Sequence, residues 1–287
     1  MSAVSIVIIN YNTFQLTCQC IQSIYQFTKQ IDFEIILVDN ASDKDNADDF
    51  LVHFPEIKLI KNPVNNGFAG GNNLGIQAAQ YDIILLLNSD TYLLDDAIST
   101  AALHYQNLKQ AGAMTIKLLY ENRQYQKSAR RFRSMGRELL DFFRPFLYLL
   151  PYRTRAKLML NQYFRGDFNT TCDWCNGAFF MFSKKVLAQL PHQKLDDRYF
   201  MYGEDELWSF QIKACGYTNY YCADAAIIHI ANASTSVEKR IQLNQLILSR
   251  TIENYRLRYP NTISVFIFSR LIYCKDWLTR CILALKP

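Results

Sequence analysis

Nine residues, Ile83 to Thr91, constrain this chain's fold more than any others. Ile83-Ile84-Leu85-Leu86-Leu87 is an unbroken branched apolar run that stops abruptly at Asn88-Ser89-Asp90. A short apolar run without alternation reads as a strand buried on both faces, as in a parallel sheet covered by helices. Ligands of open α/β sheets bind outside the carboxyl ends of the strands. Asp90 therefore stands at an edge where a hard oxygen ligand suits Mg²⁺ or Mn²⁺ holding a diphosphate. Taken alone, the tripeptide also fits a solvated turn, because Asn, Ser and Asp are common turn formers.

The preceding chain supplies neighbours for such a strand. Val4 to Asn10 and Phe33 to Val38 read as buried strands, the second running into Asp39-Asn40-Ala41-Ser42, and Ile57 to Lys61 as a short third. Between them, Phe14 to Thr28 has helical spacing, and Asp43 to Phe54 reads as a polar helix with Phe50 and Leu51 inward. Asn65-Asn66-Gly67-Phe68-Ala69-Gly70-Gly71-Asn72-Asn73 then leads into a helix over Leu74 to Gln80. Strands alternating with helices argue a doubly wound α/β sheet. The glycine-rich stretch fits neither G-x-G-x-x-G nor the Walker pattern. It would let backbone approach a phosphate at a helix N-terminus, although a plain loop with a glycine cap fits as well.

Further on, Asp95 to Gln110 reads as a helix and Ala113 to Tyr120 as a strand. Cys172 to Phe182 is a loop followed by a buried strand, and Ser183 is a plausible N-cap for a helix to Leu190. Glu204-Asp205-Glu206 opens a helix running from Leu207 to Ala214. Carboxylates there are favoured by the helix dipole, and one of them could equally serve as a general base. Asn219 to Cys222 and Ala226 to Ile230 are strands, with His229 among apolar neighbours, a common setting for a satisfied core histidine.

The net charge of +5 is unevenly spread: residues 121–165 hold eleven Lys/Arg against three Asp/Glu, and residues 238–287 hold nine against three. That asymmetry suggests a basic face for anionic lipid or phosphate, and no nucleic-acid recognition motif accompanies it. Phe142, Phe143, Phe146, Leu147 and Leu149 lie among Arg137, Arg144, Arg153 and Arg155, which suits either an interfacial segment or a helical insertion packed on the core. Residues 262–287 mix aromatic, aliphatic and basic side chains, as in a helix lying on anionic lipid; packing on the catalytic domain or a homodimer contact is the alternative. No stretch reaches the roughly 18 apolar residues of a membrane span. Met1-Ser2-Ala3-Val4 lacks a charged n-region, so no signal peptide is expected. Of eight cysteines only Cys172 and Cys175 form a C-x-x-C, without the second pair a zinc site needs, which favours reduced cytosolic thiols.

Taken in order, Val4–Asn12, Val38–Ser42, Asn65–Asn73, Leu87–Asp90, Asn176–Ala178, Asp196–Asp205 and Ile228-His229 resemble family 2 glycosyltransferases of the GT-A fold. This inverting group includes bacterial rhamnosyl- and galactosyltransferases of surface polysaccharides, and the resemblance covers roughly residues 4 to 260. It implies a Rossmann-like nucleotide-diphospho-sugar transferase: a mixed α/β sheet flanked by helices, here with a helical C-terminal appendage. The expected division is a catalytic domain over 1–261, carrying a basic and aromatic insertion at about 121–168, and a segment over 262–287. The resemblance further implies a UDP- or dTDP-sugar donor, Mg²⁺ or Mn²⁺, and a glycan or lipid-linked glycan acceptor. The expected setting is the cytoplasmic face of a membrane, with peripheral contact to it.

By the same resemblance, Asp39 pairs with nucleobase or ribose, and Asn65, Asn66, Gly67 and Phe68 form the donor loop. Asn10, Asn12 and Asn73 fall in the other donor-side segments. Asn88-Ser89-Asp90 takes the place of D-x-D, with Asn88 for its first aspartate and Asp90 as the metal ligand, assisted by His229. Asp205, or else Glu204, matches the catalytic base, and Trp174, Asn176, Gly177 and Ala178 the acceptor side. Leu207 stands where many relatives carry a second aspartate, which puts an acidic role there out of reach. Two other classes compete: a nucleotidyltransferase on a related scaffold and a non-catalytic nucleotide-sugar binding protein. The first would show a glycine- and lysine-bearing loop after its first strand; Asn10-Tyr11-Asn12-Thr13 has neither.

Overall fold

The computed structural model describes residues 3–230 and 237–284. It divides into a larger unit, from the N-terminus to Arg131 and again from Tyr152 to the end of the sheet, and a smaller one of Phe132–Pro151 with the C-terminal helices.

In the larger unit β1 (Ala3–Asn10), α1 (Phe14–Phe27), β2 (Asp32–Asn40), α2 (Asp49–His53), β3 (Lys58–Asn62), α3 (Gly67–Ala78) and β4 (Ile83–Asn88) follow the expected alternation. Then come β5 (Thr91–Leu93), α4 (Ala97–Gln106), β6 (Ala111–Leu119), β7 (Tyr125–Gln126) and β8 (Ala129–Arg130), and after the segment that belongs to the smaller unit α7 (Tyr152–Leu158), α8 (Leu160–Tyr163), β9 (Thr170–Cys172) and β10 (Trp174–Cys175). Strands lie in the order β3-β2-β1-β4, all parallel. Beyond β4 the sheet turns mixed, because β11 (Phe179–Ser183) runs antiparallel to it and to β6. The long β12 (Thr218–His229) is parallel to β6 and antiparallel to β5. The mixed sheet flanked by helices is the architecture expected from the resemblance.

The apolar run of β4 behaves as its composition requires. Ile83, Leu85 and Leu87 point into one core, shared with α1, α2 and α4, while Ile84 and Leu86 point into a second, shared with α3 and β11. All five are buried, each worth about 1.5–3 kcal/mol relative to exposure. Parallel register then aligns the strand ends. Asn10 pairs with Asp39, and Ile9 with Asn88, so three polar strand termini meet at one edge.

Several local expectations shift. The helix expected over Asp43–Phe54 is only Asp49–His53; Phe50 is buried, but Leu51 is exposed because a one-turn helix presents one inward position. The helix expected from Leu74 begins at Gly67, inside the glycine-rich stretch. The strands expected at Asn219–Cys222 and Ala226–Ile230 are one strand with a register irregularity between Cys222 and Ala226. Ser183 does cap the short α9 (Lys184–Leu187), accepting the Val186 amide.

The smaller unit holds α5 (Met135–Phe142), α6 (Arg144–Leu147), α11 (Val237–Arg258) and α12 (Thr262–Ala284). Residues 132–151 of the basic insertion group with α11 and α12. The reasons are specific. Val265, Phe268 and Ile272 form a small core with Tyr255, against which Met135 packs. The Tyr255 and Phe268 rings stack at 3.7 Å. Lys275 bonds Glu138 at 2.9 Å and also Asp141.

Candidate active site

The aligned strand ends open onto a cleft of about 290 Å³, lined among others by Tyr11, Asn40, Asn65, Gly67, Phe68 and Asn88 to Asp90. Asn40, which sequence reasoning passed over, organises one wall. Its Nδ2 donates to Asn65 Oδ1 (2.8 Å) and Gly67 O (3.1 Å), and its Oδ1 accepts from Asn62 (2.7 Å). Gly67 is required where it stands: its φ is +78°, and a Cβ would lie 2.3 Å from Phe200 O. The next amide, Phe68 N–H, donates to that same Phe200 oxygen at 2.9 Å. The loop before α10 (Glu204–Ala214) is thereby tied to the start of α3.

Other expected donor residues support the cleft from behind. Asn10 is buried and donates to Asp39 Oδ1 (2.7 Å) and Ser42 Oγ (3.0 Å) while accepting from Thr13 and Thr17. Asp39 accepts the Ser42 amide with its second oxygen, so it braces the β2 end. Asn12 Oδ1 accepts the amides of Asp43 and Lys44. Asn66 turns to Asn62 (3.1 Å). Asn73 is buried and spends both ends of its amide on the Leu195 backbone, at 2.8 and 3.0 Å. None of these five is among the residues lining the cleft.

At the β4 end, Asn88-Ser89-Asp90 is held as a turn. Thr91 donates to Asn88 O (2.7 Å), Ser89 meets Thr13 (3.2 Å), and Asp90 O accepts the Ile230 amide (2.9 Å). Because β12 pairs with β5, His229 lies opposite Thr91, next to Asp90. Its Nε2 is 3.3 Å from Asp90 Oδ1 and 3.5 Å from Asn88 Nδ2. Gln126 on β7 sets the ring. Its Nε2 donates to His229 O (2.6 Å), so its Oε1 faces His229 Nδ1 (2.8 Å), which must then carry the proton. Nε2 is thereby the ring atom that faces the Asp90 carboxylate. Asn88 Oδ1 is buried with no hydrogen-bond partner. A carboxylate, an imidazole nitrogen and an orphaned amide oxygen fit a Mg²⁺- or Mn²⁺-type cation. His229 thus faces Asn88 and Asp90, and Gln126, 103 residues away in sequence, could not be found from spacing.

The other half of the site comes through the strap 174–178. The Asn88 amide donates to Ala178 O (3.1 Å), and the Gly177 N–H donates to Asp205 Oδ2 (3.0 Å). Asn176 accepts the Ala178 amide at 2.8 Å, and Trp174 pairs across to Arg130, whose guanidinium lies 4.5 Å from the indole centre. Ala178 is buried and contributes backbone only. Burial pushes the Asp205 carboxyl up from its ordinary value, opposed by the Trp174 indole, the Gly177 amide and the Arg130 charge. Glu204 and Glu206 are buried in the same first turn. Leu207 is buried as well, so the position of the absent second acid belongs to the core.

A mixed sheet whose parallel half ends in a carboxylate cleft, with a second carboxylate entering from a later helix, is the GT-A fold. The chain belongs to glycosyl transferase family 2, whose profile matches residues 5–189. It is similar to the glycosyltransferase GlyG of Streptococcus pneumoniae, 28% identical over 122 residues, 42% of this chain and 39% of GlyG. The match thus spans about two fifths of that relative. In fold it is similar to the mannosyltransferase PcManGT of Pyrobaculum calidifontis, solved with GDP-Man and Mn²⁺, at TM-score 0.59, 14% identity, 96% of this chain and 69% of that one. It is also similar to TarS of S. aureus, solved with UDP, at TM-score 0.54, 14% identity, 86% of this chain and 65% of that one.

Proposed function

We propose that this chain is an inverting, divalent-cation-dependent glycosyltransferase. It moves a sugar, a hexose or rhamnose, from a UDP- or dTDP-sugar to a hydroxyl of a glycan or lipid-linked glycan, as in polysaccharide or O-antigen synthesis. It works at the cytoplasmic face of a membrane. The observation that carries this reading is the strap 174–178, whose consecutive residues hold Asn88 beside the Asp90–His229 pair and Asp205 at the other side.

Asp90 and His229, with Asn88 Oδ1, would hold the cation, and Gln126 keeps the histidine nitrogen available. When bound, such a cation supplies positive charge to the departing nucleoside diphosphate. Asn40, Asn65 and Gly67 shape the donor wall, and Phe68 closes it toward Gly177. Asp205, as carboxylate, takes the proton of the acceptor hydroxyl while that oxygen bonds to the anomeric carbon and the carbon–diphosphate bond breaks. One in-line displacement inverts the centre, so one base suffices and no protein nucleophile is needed; a glycoside hydrolase instead works with two carboxylates.

The test is a panel of nucleotide-sugars with Mn²⁺ or Mg²⁺, with and without chelator, and product anomeric configuration read by NMR. Transfer with inversion that is lost on chelation and in Asp90→Ala is expected. Full activity in excess chelator would remove the metal from the reading, and retention of configuration would remove the single-base mechanism.

A further inference from the structure

We propose that the smaller unit is a docking surface for an anionic lipid bilayer, formed by α12 together with α5 and α6. The inference rests on the membrane-face part of the function above, and not on the transfer chemistry.

Two independent features of this unit point to lipid. The first is charge. Residues 132–151 and 234–287 hold twelve Lys/Arg against five Asp/Glu, a formal +7, whereas the rest of the chain holds nineteen against twenty-one. The chain's entire positive excess thus lies in one unit, and the family's catalytic machinery lies in a slightly acidic one.

The second is apolar exposure in a helical pattern. One stripe of α12, Val265, Phe268 and Ile272, is used inward against Tyr255. A different stripe, Ile263, Phe266, Ile267, Tyr273 and Trp277, stands 71, 58, 48, 51 and 63% exposed at the i, i+3, i+4 spacing of a helix face. On the insertion Leu139, Phe142, Phe146 and Leu149 are likewise exposed, by 59, 67, 65 and 84%. Lys275 joins the two elements through Glu138 and Asp141. Exposed apolar surface on this scale marks an interaction site. Among the described residues no helix is long and apolar enough to cross a membrane, and Arg270, Lys275 and Arg280 interrupt α12.

The chemistry selects the occupant. Aromatic and aliphatic side chains interleaved with cations match the boundary between headgroups and acyl chains, and the charge matches anionic headgroups. A second copy is a poorer fit, because a two-fold contact sets the same patch against itself and brings +7 against +7.

The experiment uses the full chain, without donor or acceptor, so its outcome is separate from that of transfer. Binding to phosphatidylcholine vesicles with and without phosphatidylglycerol is measured by co-sedimentation at low and high salt. Two variants, Phe142→Asp with Phe146→Asp and Phe266→Asp with Trp277→Asp, are compared after their melting temperatures are checked. Binding to the phosphatidylglycerol vesicles is expected, weakened about tenfold or more by neutral lipid, by salt and by either variant. A readout that needs no disruptive change accompanies it: brominated lipid should quench the tryptophan fluorescence of the unaltered chain, and Trp277→Phe should remove that quenching. Folded chain that ignores the anionic vesicles, binding indifferent to both variants, or absence of quenching would overturn the proposal. A lipid-free dimer that the same variants dissolve would assign the face to a second copy and overturn it too.

Discussion

The acidity of Asp205 is set by what surrounds its carboxylate. Burial raises its pKa, and the Trp174, Gly177 and Arg130 groups hold that rise in check. A base must be deprotonated to act, so activity falls as pH falls through that raised pKa. The acid limb of kcat/KM is expected above the ordinary carboxylate range. Arg130→Gln removes a group that lowers the pKa and should move the limb to higher pH; an unmoved limb would separate Arg130 from the base. Asp205→Asn keeps the shape and loses basicity, so turnover should drop about a hundredfold or more with donor affinity near normal. If Glu204→Gln proves the crippling change, the base is the neighbouring residue. Gln126 acts one step back, through His229. Gln126→Leu should weaken Mn²⁺ binding about 10- to 100-fold, measured by calorimetry on the unreacted protein; unchanged affinity would leave Gln126 as a packing residue.

At the scale of elements, α3 shows how a helix start is made into a site wall. Its first residue needs a left-handed φ, its second donates outward to Phe200, and Asn40 buttresses the preceding turn. Gly67→Ala should therefore strain the backbone and push Phe200 away, at about 1–3 kcal/mol. A lowered melting temperature together with a raised KM for donor is the expected signature. A change in stability alone would mean that the α3 start does not shape the donor wall. The glycine-rich stretch could be read as a loop leading into a helix, but its own incorporation into that helix could not, because that depends on contacts from residue 200. Likewise β12 read as two strands: the irregular register after Cys222 is stabilised by pairing with β5 and β6, which are distant in sequence.

At the scale of the whole molecule, the smaller unit depends on charges that the sequence shows only as a basic excess. Burial works against ionising Glu138 and Asp141, but Arg133 and Lys275 for the first, and Lys275 and Arg144 for the second, outweigh it and hold both below the usual range. With folded pKa values below unfolded ones, this stabilisation is present above the unfolded range and is lost as pH falls through the folded values. Lys275→Met should lower stability by about 2 kcal/mol near neutral pH, because two carboxylates lose a shared partner. The deficit should shrink as pH falls and the carboxylates protonate. A pH-independent deficit in thermal unfolding would assign the loss to packing.

Local chemistry decided much by itself. Ile83 to Leu87 had to be buried on both faces, since no residue in the run could face water without exposing apolar surface. Asp90 stood out as the polar end of such a run, whereas the residues alone left Asp205 as one of three carboxylates opening a helix and His229 as a core histidine; the roles expected of both came from the family resemblance. What the sequence could not determine was proximity. Whether Asn10, Asp39 and Asn73 touch a donor or brace the site depends on strand register and on the backbone amide and carbonyl of Leu195. Gln126 has a role only because β7 and β12 both meet β6. The insertion's grouping with the C-terminal helices follows from Lys275 reaching Glu138, 137 residues apart. Short-range patterning specifies which face of an element is buried; which elements share that burial is settled only when the chain closes on itself.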